Sequence, residues 1–128
     1  MQNTSGMQFT SLALMRKGEV MRTFPSGAVR DSIEGKGRFD LLPPRALAAL
    51  ARLLQEGAKH YGDRNWEKGM PLSVFLDSAL RHLFQLLAGD TSEDHAVRAL
   101  FNIAAFIETR ERIEEGKLPR ELSDLPLD

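Results

Sequence analysis

The sequence predicts an all-α protein in which three main helices form an antiparallel helical bundle completed by homo-oligomerisation, preceded by an irregular N-terminal arm. Two observations carry this. Apolar residues recur at spacings of three and four in three segments, each punctuated by proline, glycine or a capping residue. The helices are also apolar over more than one stripe, which leaves more greasy surface than a chain of 128 residues buries alone.

In chain order, residues 1–23 read as an N-terminal extension whose apolar patch, Leu12-Ala13-Leu14-Met15, suits a brief strand or a turn of helix. Residues 24–116 form the expected helical domain and residues 117–128 a tail. Residues 21–42 are dense in turn formers, yet Phe39, Leu41 and Leu42 offer anchors, and the arginines there, Arg30 and Arg38 among them, can meet phosphate bidentately. Pro43-Pro44 opens the first helix, and Leu47, Leu50, Leu53, Leu54 and the intervening alanines carry it to about Lys59. Pro71 opens the second, with Leu72, Phe75, Leu76, Ala79, Leu80, Leu83, Leu86 and Leu87 at helical spacing until Gly89-Asp90. Thr91 or Ser92 caps the third, whose first turn holds Glu93 and Asp94 and which runs through Leu100, Phe101, Ile103 and Ile107 towards Glu115, before Gly116 and Pro119. In the tail, Leu122, Leu125 and Leu127 are docking points. The unburied surface of helices 2 and 3 calls for a homodimer or homotetramer that pairs them.

Composition excludes several functions. The formal charge of −1 argues against a nucleic-acid partner, and no helix shows a basic face suited to a groove. Residues 1–45 carry a balance of +3 and residues 46–128 one of −4, so a small anion suits the first part and a metal the second. The chain has no cysteine, which removes disulfides and thiolate metal sites and fits a reducing cytoplasm. No apolar run approaches the roughly 18 residues of a membrane span, so the expected protein is soluble and cytoplasmic, with no membrane partner.

Chemistry concentrates between Glu56 and Trp66. Glu56, Lys59, His60, Tyr61, Arg64, Asn65 and Trp66, the last the single Trp, crowd around Gly57 and Gly62, where positive φ and close approach of a ligand to the backbone are expected. A helix C-cap followed by a turn explains Gly62 but not the cluster. On helix 2, Asp77 and Arg81 are one turn apart and can pair, and His82 falls near the apolar face, where a satisfied core histidine is the plain reading. On helix 3, His95, Arg98 and Asn102 form one polar stripe, and Asn102, enclosed by apolar neighbours, needs a partner because an unsatisfied buried amide costs about 1–3 kcal/mol. If helices 2 and 3 pack antiparallel, His82 and that stripe converge on the 57–66 stretch. Glu56, Asp77, Glu93 and Asp94 offer oxygen ligands and His82 and His95 nitrogen ligands, a mix compatible with Mg²⁺ or Mn²⁺.

Four blocks also resemble a known family: Ser26-Gly27-Ala28-Val29-Arg30-Asp31, Gly35-Lys36-Gly37-Arg38-Phe39-Asp40-Leu41-Leu42-Pro43, the run from Gly57 through Trp66 to Gly69, and Arg81-His82. In this order they are similar to the N-terminal domain family of phage dATP/dGTP diphosphohydrolases, over roughly residues 24–108. The resemblance implies a mostly helical phage or prophage protein with chemistry like that of the MazG-like pyrophosphohydrolases, which convert a nucleoside triphosphate to the monophosphate and pyrophosphate with divalent metal ions. The Glu-Glu-x-x-Glu and Glu-x-x-Asp clusters of that chemistry are absent from helices 1 and 2, where Glu56 is followed by Lys59 and Asp77 by Arg81-His82.

On this footing the expected cofactor is Mg²⁺, or Mn²⁺ or Co²⁺, held by Glu56, Asp77 and Asp94, with His82 and His95 as further ligands or orienting groups. Lys59, Arg64, Arg30 and Arg38 are expected at the phosphates. Tyr61, Trp66 and Asn65 are expected at the base, and Arg81, Arg98 and Asn102 complete the expected substrate-binding set. The alternative is a non-catalytic helical module that binds a nucleotide or a protein in the same pocket.

Overall fold

Pro44 stands at the first position of helix α1 (Pro44–Tyr61), where its missing N–H breaks no helical hydrogen bond. The computed structural model describes residues 20–126. The Leu12–Met15 patch, most of the N-terminal extension and Leu127 lie outside the described residues. Helix α1 runs two residues past its expected end. Lys59 and His60 occupy its last turn, where cations meet the negative end of the helix. Gly62 then stops it at φ 85°, its N–H donating to the Ala58 carbonyl at 2.9 Å. Gly57 is thus interior to the helix, and of the two glycines only Gly62 has positive φ.

Helix α2 (Leu72–Leu87) begins after Pro71, which sets an extended entry but has no oxygen to cap the helix. A carboxylate from far along the chain does so instead. The Ser73 N–H donates to Asp124 Oδ1 at 2.9 Å and the Ser73 hydroxyl to Oδ2 at 2.5 Å. Helix α3 (His95–Glu114) is capped by Asp94, whose Oδ1 accepts from the Val97 N–H at 3.2 Å. The cap is neither Thr91 nor Ser92, because the residue next to the first helical position is the one that reaches the third N–H.

The start of α2 packs on the end of α3, through Leu72 and Phe75 against Phe106 and Ile113, while His82 near the end of α2 meets His95 at the start of α3. The two helices are therefore antiparallel. Leu72, Phe75, Ala105, Phe106 and Ile113 form the core, each large side chain contributing about 1.5–3 kcal/mol on burial. Trp66, Met70, Leu118, Leu122 and Leu125 close over it, so Leu122 and Leu125 dock the tail as expected. The approach is tight at Gly69 (φ 105°), where a Cβ would stand 2.9 Å from Leu122 Cδ1. Helix α1 lies mainly against α3 and has no fully buried residue. Leu80, Leu83, Phe84 and Leu87 on α2, and Leu100, Ile103 and Ile107 on α3, remain exposed.

The chain divides at Leu42–Pro43 into two units. In the first, the arm expected to be irregular carries a small antiparallel hairpin, β1 (Arg22–Thr23) with β2 (Val29–Arg30), in which Arg22 pairs with Arg30 and Thr23 with Val29. Its turn closes through Gly27 at φ 90°, whose N–H donates to the Phe24 carbonyl at 2.9 Å. Strands of two residues are too short for the alternation by which a strand is recognised in sequence.

Candidate functional site

A cavity of about 830 Å³ opens in the helical unit. From α1 and the following turn it is lined by Gly57, Tyr61, Gly62, Arg64, Asn65 and Trp66, from α2 by Ser78, Arg81 and His82, from the link before α3 by Glu93, and from α3 by Arg98 and Asn102. Of the convergence expected if α2 and α3 ran antiparallel, His82, Arg98 and Asn102 reach this cavity, whereas His95 does not line it. Its volume falls within the range of small-molecule sites.

The turn that carries Asn65 and Trp66 is fixed by strain and by charge. Arg64 sits in the left-handed region at φ 59°, ψ 29°, a conformation that costs a non-glycine residue about 1–2 kcal/mol. Its guanidinium donates to Glu67 at 2.8 Å, and Glu67 also pairs with Arg112 of α3 at 3.4 Å. Trp66 packs edge-on against Phe101, ring centres 6.3 Å apart. Asn102 is satisfied within its own helix, its amide N–H donating to the Arg98 carbonyl at 2.8 Å. Arg98 approaches Glu93 at 3.1 Å, and Arg81 donates to the Ser78 hydroxyl at 3.2 Å rather than pairing with Asp77.

Two buried histidines meet at the cavity, His82 in its lining and His95 outside the lining. His82 Nδ1 and His95 Nδ1 are 2.9 Å apart, and His95 Nε2 lies 2.5 Å from Asp90 Oδ2. Burial, and after it the positive charge of Arg81, pushes the His82 imidazole below its ordinary pKa. Asp90 is held below the usual carboxylate range by the Ser92 hydroxyl and then by His95.

The expected carboxylate ligands do not come together. Glu56 is exposed and bound to Lys59 at 3.2 Å, Asp77 is exposed on α2, and Asp94 is engaged in capping α3. None of the three lines the cavity, and neither does Lys59. Sequence spacing places Glu56 and Asp77 on helices without fixing which face turns inward. Among the described residues the group of His, Asp and Glu side chains able to share a metal ion is His82, Glu93 and His95, whose ligand atoms lie within 4.8 Å of one another. Two imidazoles and a carboxylate fit a divalent first-row ion. Arg30 and Arg38 belong to the first unit: Arg30 ends β2 and Arg38 holds Asp40 in two hydrogen bonds of 2.9 and 2.8 Å. The roles of Asp90, Glu67 and Phe101 were not anticipated. The signal for Asp90 was its position in the short link between the two histidine-bearing helices.

Residues 26–117 match the family described as "dATP/dGTP diphosphohydrolase, N-terminal". A dATP/dGTP diphosphohydrolase of Salmonella phage PMBT28 is 36% identical over 62 residues, which cover 48% of this chain and 20% of that protein. The chain thus spans a minor part of the length of that relative. No solved structure matches the chain. None of the described helices is long and apolar enough to cross a membrane. With a match that takes in all three helices and the whole cavity lining, the chain belongs to the dATP/dGTP diphosphohydrolase N-terminal family.

Proposed function

We propose that this chain binds a purine deoxynucleoside triphosphate, dATP or dGTP, in the cavity and supports its hydrolysis to the monophosphate and pyrophosphate. One observation carries the reading: a single cavity of nucleotide size holds aromatic rings and an amide for a base together with three guanidinium groups for phosphates. Trp66 and Tyr61 offer faces on which a purine stacks, and Asn65 and Asn102 offer hydrogen bonds to its edge or to the sugar. Arg64, Arg81 and Arg98 offer donors to the phosphates in a geometry that lysine lacks.

In the reaction, water attacks the α-phosphorus, the bond from that phosphorus to the α,β-bridging oxygen breaks, and pyrophosphate leaves with the electron pair. The arginines act where negative charge grows on the departing pyrophosphate. A divalent cation, Mg²⁺ or in its place Mn²⁺ or Co²⁺, adds positive charge beside the phosphates when bound. The closeness of His82, Glu93 and His95, whose ligand atoms lie within 4.8 Å of one another, supports their reading as its holders.

A second reading, a non-catalytic module binding nucleotide in the same cavity, is favoured by the separation of Glu56, Asp77 and Asp94 and by the match to a minor part of the phage relative. The purified chain, offered a panel of nucleoside triphosphates with metal or with EDTA, separates the two. Pyrophosphate release confined to purine deoxynucleotides and abolished by EDTA supports hydrolysis. Binding without release with every metal supports the module.

The exposed apolar faces of α2 and α3 are the proposed contact of a homodimer or homotetramer, since Phe84 and Leu87 are 69% and 85% exposed.

A further inference from the structure

We propose that His82, His95 and Glu93 form a mononuclear site selective for a first-row transition ion over Mg²⁺, and that Asp90 is the positioning residue that orients it. The proposal deepens the reading above, resting on the assignment of these three residues as the holders of the cation.

Tautomer logic comes first. His95 Nε2 faces the Asp90 carboxylate at 2.5 Å, and a carboxylate only accepts, so the proton of a neutral His95 is on Nε2 and its Nδ1 carries a lone pair. That lone pair points at His82 Nδ1, 2.9 Å away. Without a cation the contact is a hydrogen bond, with His82 Nδ1–H donating. With a cation the His82 proton resides on Nε2 instead, both Nδ1 atoms become ligands, and no proton is lost from the pair. A carboxylate behind a metal-bound imidazole is the usual device for fixing its tautomer and ring orientation.

The donor set then selects the ion. His82 and His95 offer one imidazole nitrogen each, and Glu93 supplies a carboxylate oxygen within 4.8 Å of both. Mg²⁺ prefers oxygen ligands and keeps its waters, whereas imidazole suits Fe²⁺, Co²⁺ and Ni²⁺, with Mn²⁺ weakest in that series. The site also adjoins the substrate space: His82 and Glu93 line the cavity, and the Arg98 guanidinium lies 3.1 Å from the Glu93 carboxylate.

The test is calorimetric titration of the purified chain with CoCl₂, NiCl₂ and MgCl₂, with the visible spectrum of the cobalt form recorded alongside. One Co²⁺ per chain is expected, at least tenfold tighter than Mg²⁺, with visible bands shifted from those of the aqueous ion. Glu93→Gln, which changes an exposed side chain and keeps the fold, is expected to weaken Co²⁺ at least tenfold. Asp90→Asn is expected to weaken it about 10–100-fold. Absence of Co²⁺ binding, or Co²⁺ binding equal in the wild type, Glu93→Gln and His82→Gln, overturns the site. Pyrophosphate release in Mg²⁺ by a chain that takes no Co²⁺ would sink this proposal and leave hydrolysis standing. Co²⁺ bound and lost in Glu93→Gln, without release from any triphosphate, would keep the site and remove hydrolysis.

Discussion

The Arg112 guanidinium lies 5.9 Å from the centre of the Trp66 ring, so the last turn of α3 holds the aromatic wall of the cavity in place. The contact reaches the backbone as well, because Glu67, next to Trp66, pairs with Arg112 and with Arg64 on either side. Arg112→Ala removes a cation–π contact and one arm of this network, a loss of about 1–2 kcal/mol. Its expected signature is a lower Tm and weaker nucleotide binding, measured by thermal melts with and without dGTP. An unchanged affinity with a lowered Tm would mean that the turn keeps its shape without Arg112.

Asp124 caps a helix 51 residues away in sequence, and its carboxyl is held below the usual range by the Ser73 hydroxyl and backbone N–H. A carboxyl whose pKa is depressed on folding contributes stability that is present above its unfolded value, about 3.9, and is lost as pH falls through the folded value. Asp124→Ala is therefore expected to melt several degrees lower at pH 7, with the gap to the wild type closing below about pH 4. A gap that stays constant from pH 7 to pH 3 would contradict the capping role.

Two glycines give opposite expectations. Gly57 is inside α1 with open space around its Cα, so Gly57→Ala raises stability by about 0.5–1 kcal/mol. Gly69 combines φ 105° with the close approach of Leu122 and Leu118, and Gly69→Ala lowers stability by about 1–3 kcal/mol and loosens the tail. Denaturant melts of the two variants check the pair.

Phe84 presents its ring to solvent in the single chain. If α2 and α3 build the contact between copies, Phe84→Glu is expected to shift the protein to the monomer in analytical ultracentrifugation while leaving its helical circular dichroism intact. A wild-type protein that sediments as a monomer at all concentrations would remove the oligomer.

The fold was largely legible because its punctuation is local. Pro44, Pro71, Gly62, Gly89 and Gly116 mark helix ends where the structure has them, and the three-and-four spacing of Leu72, Phe75 and Ala79 is the buried face of α2. What escaped depends on contacts distant in sequence or on phase. The cap of α2 comes from Asp124, which no local pattern announces. The first helix runs two residues beyond Lys59, with its cations at the negative end, and stops where Gly62 takes a positive φ. The candidate site was half legible. A dense polar cluster from Tyr61 to Trp66 and the stripe of His95, Arg98 and Asn102 signal themselves by type and spacing, and the structure brings most of these residues to or beside one cavity. Of the proposed metal donors, His82 and His95 are legible as nitrogen ligands, whereas Glu56, Asp77 and Asp94 are as plausible in sequence as Glu93, and only the packing of α2 on α3 brings Glu93 near the two histidines.

The most direct measurement uses Trp66, the single tryptophan of the chain, which lines the cavity. Titrating the protein with dGTP, dATP and dCTP while following its emission reports on the proposed base site itself. The account predicts saturable quenching by the purine deoxynucleotides, stronger than by dCTP, and weakened about tenfold or more in Arg98→Ala as a phosphate contact is lost. Emission unchanged up to millimolar purine nucleotide would contradict the assignment of this cavity as a nucleotide site.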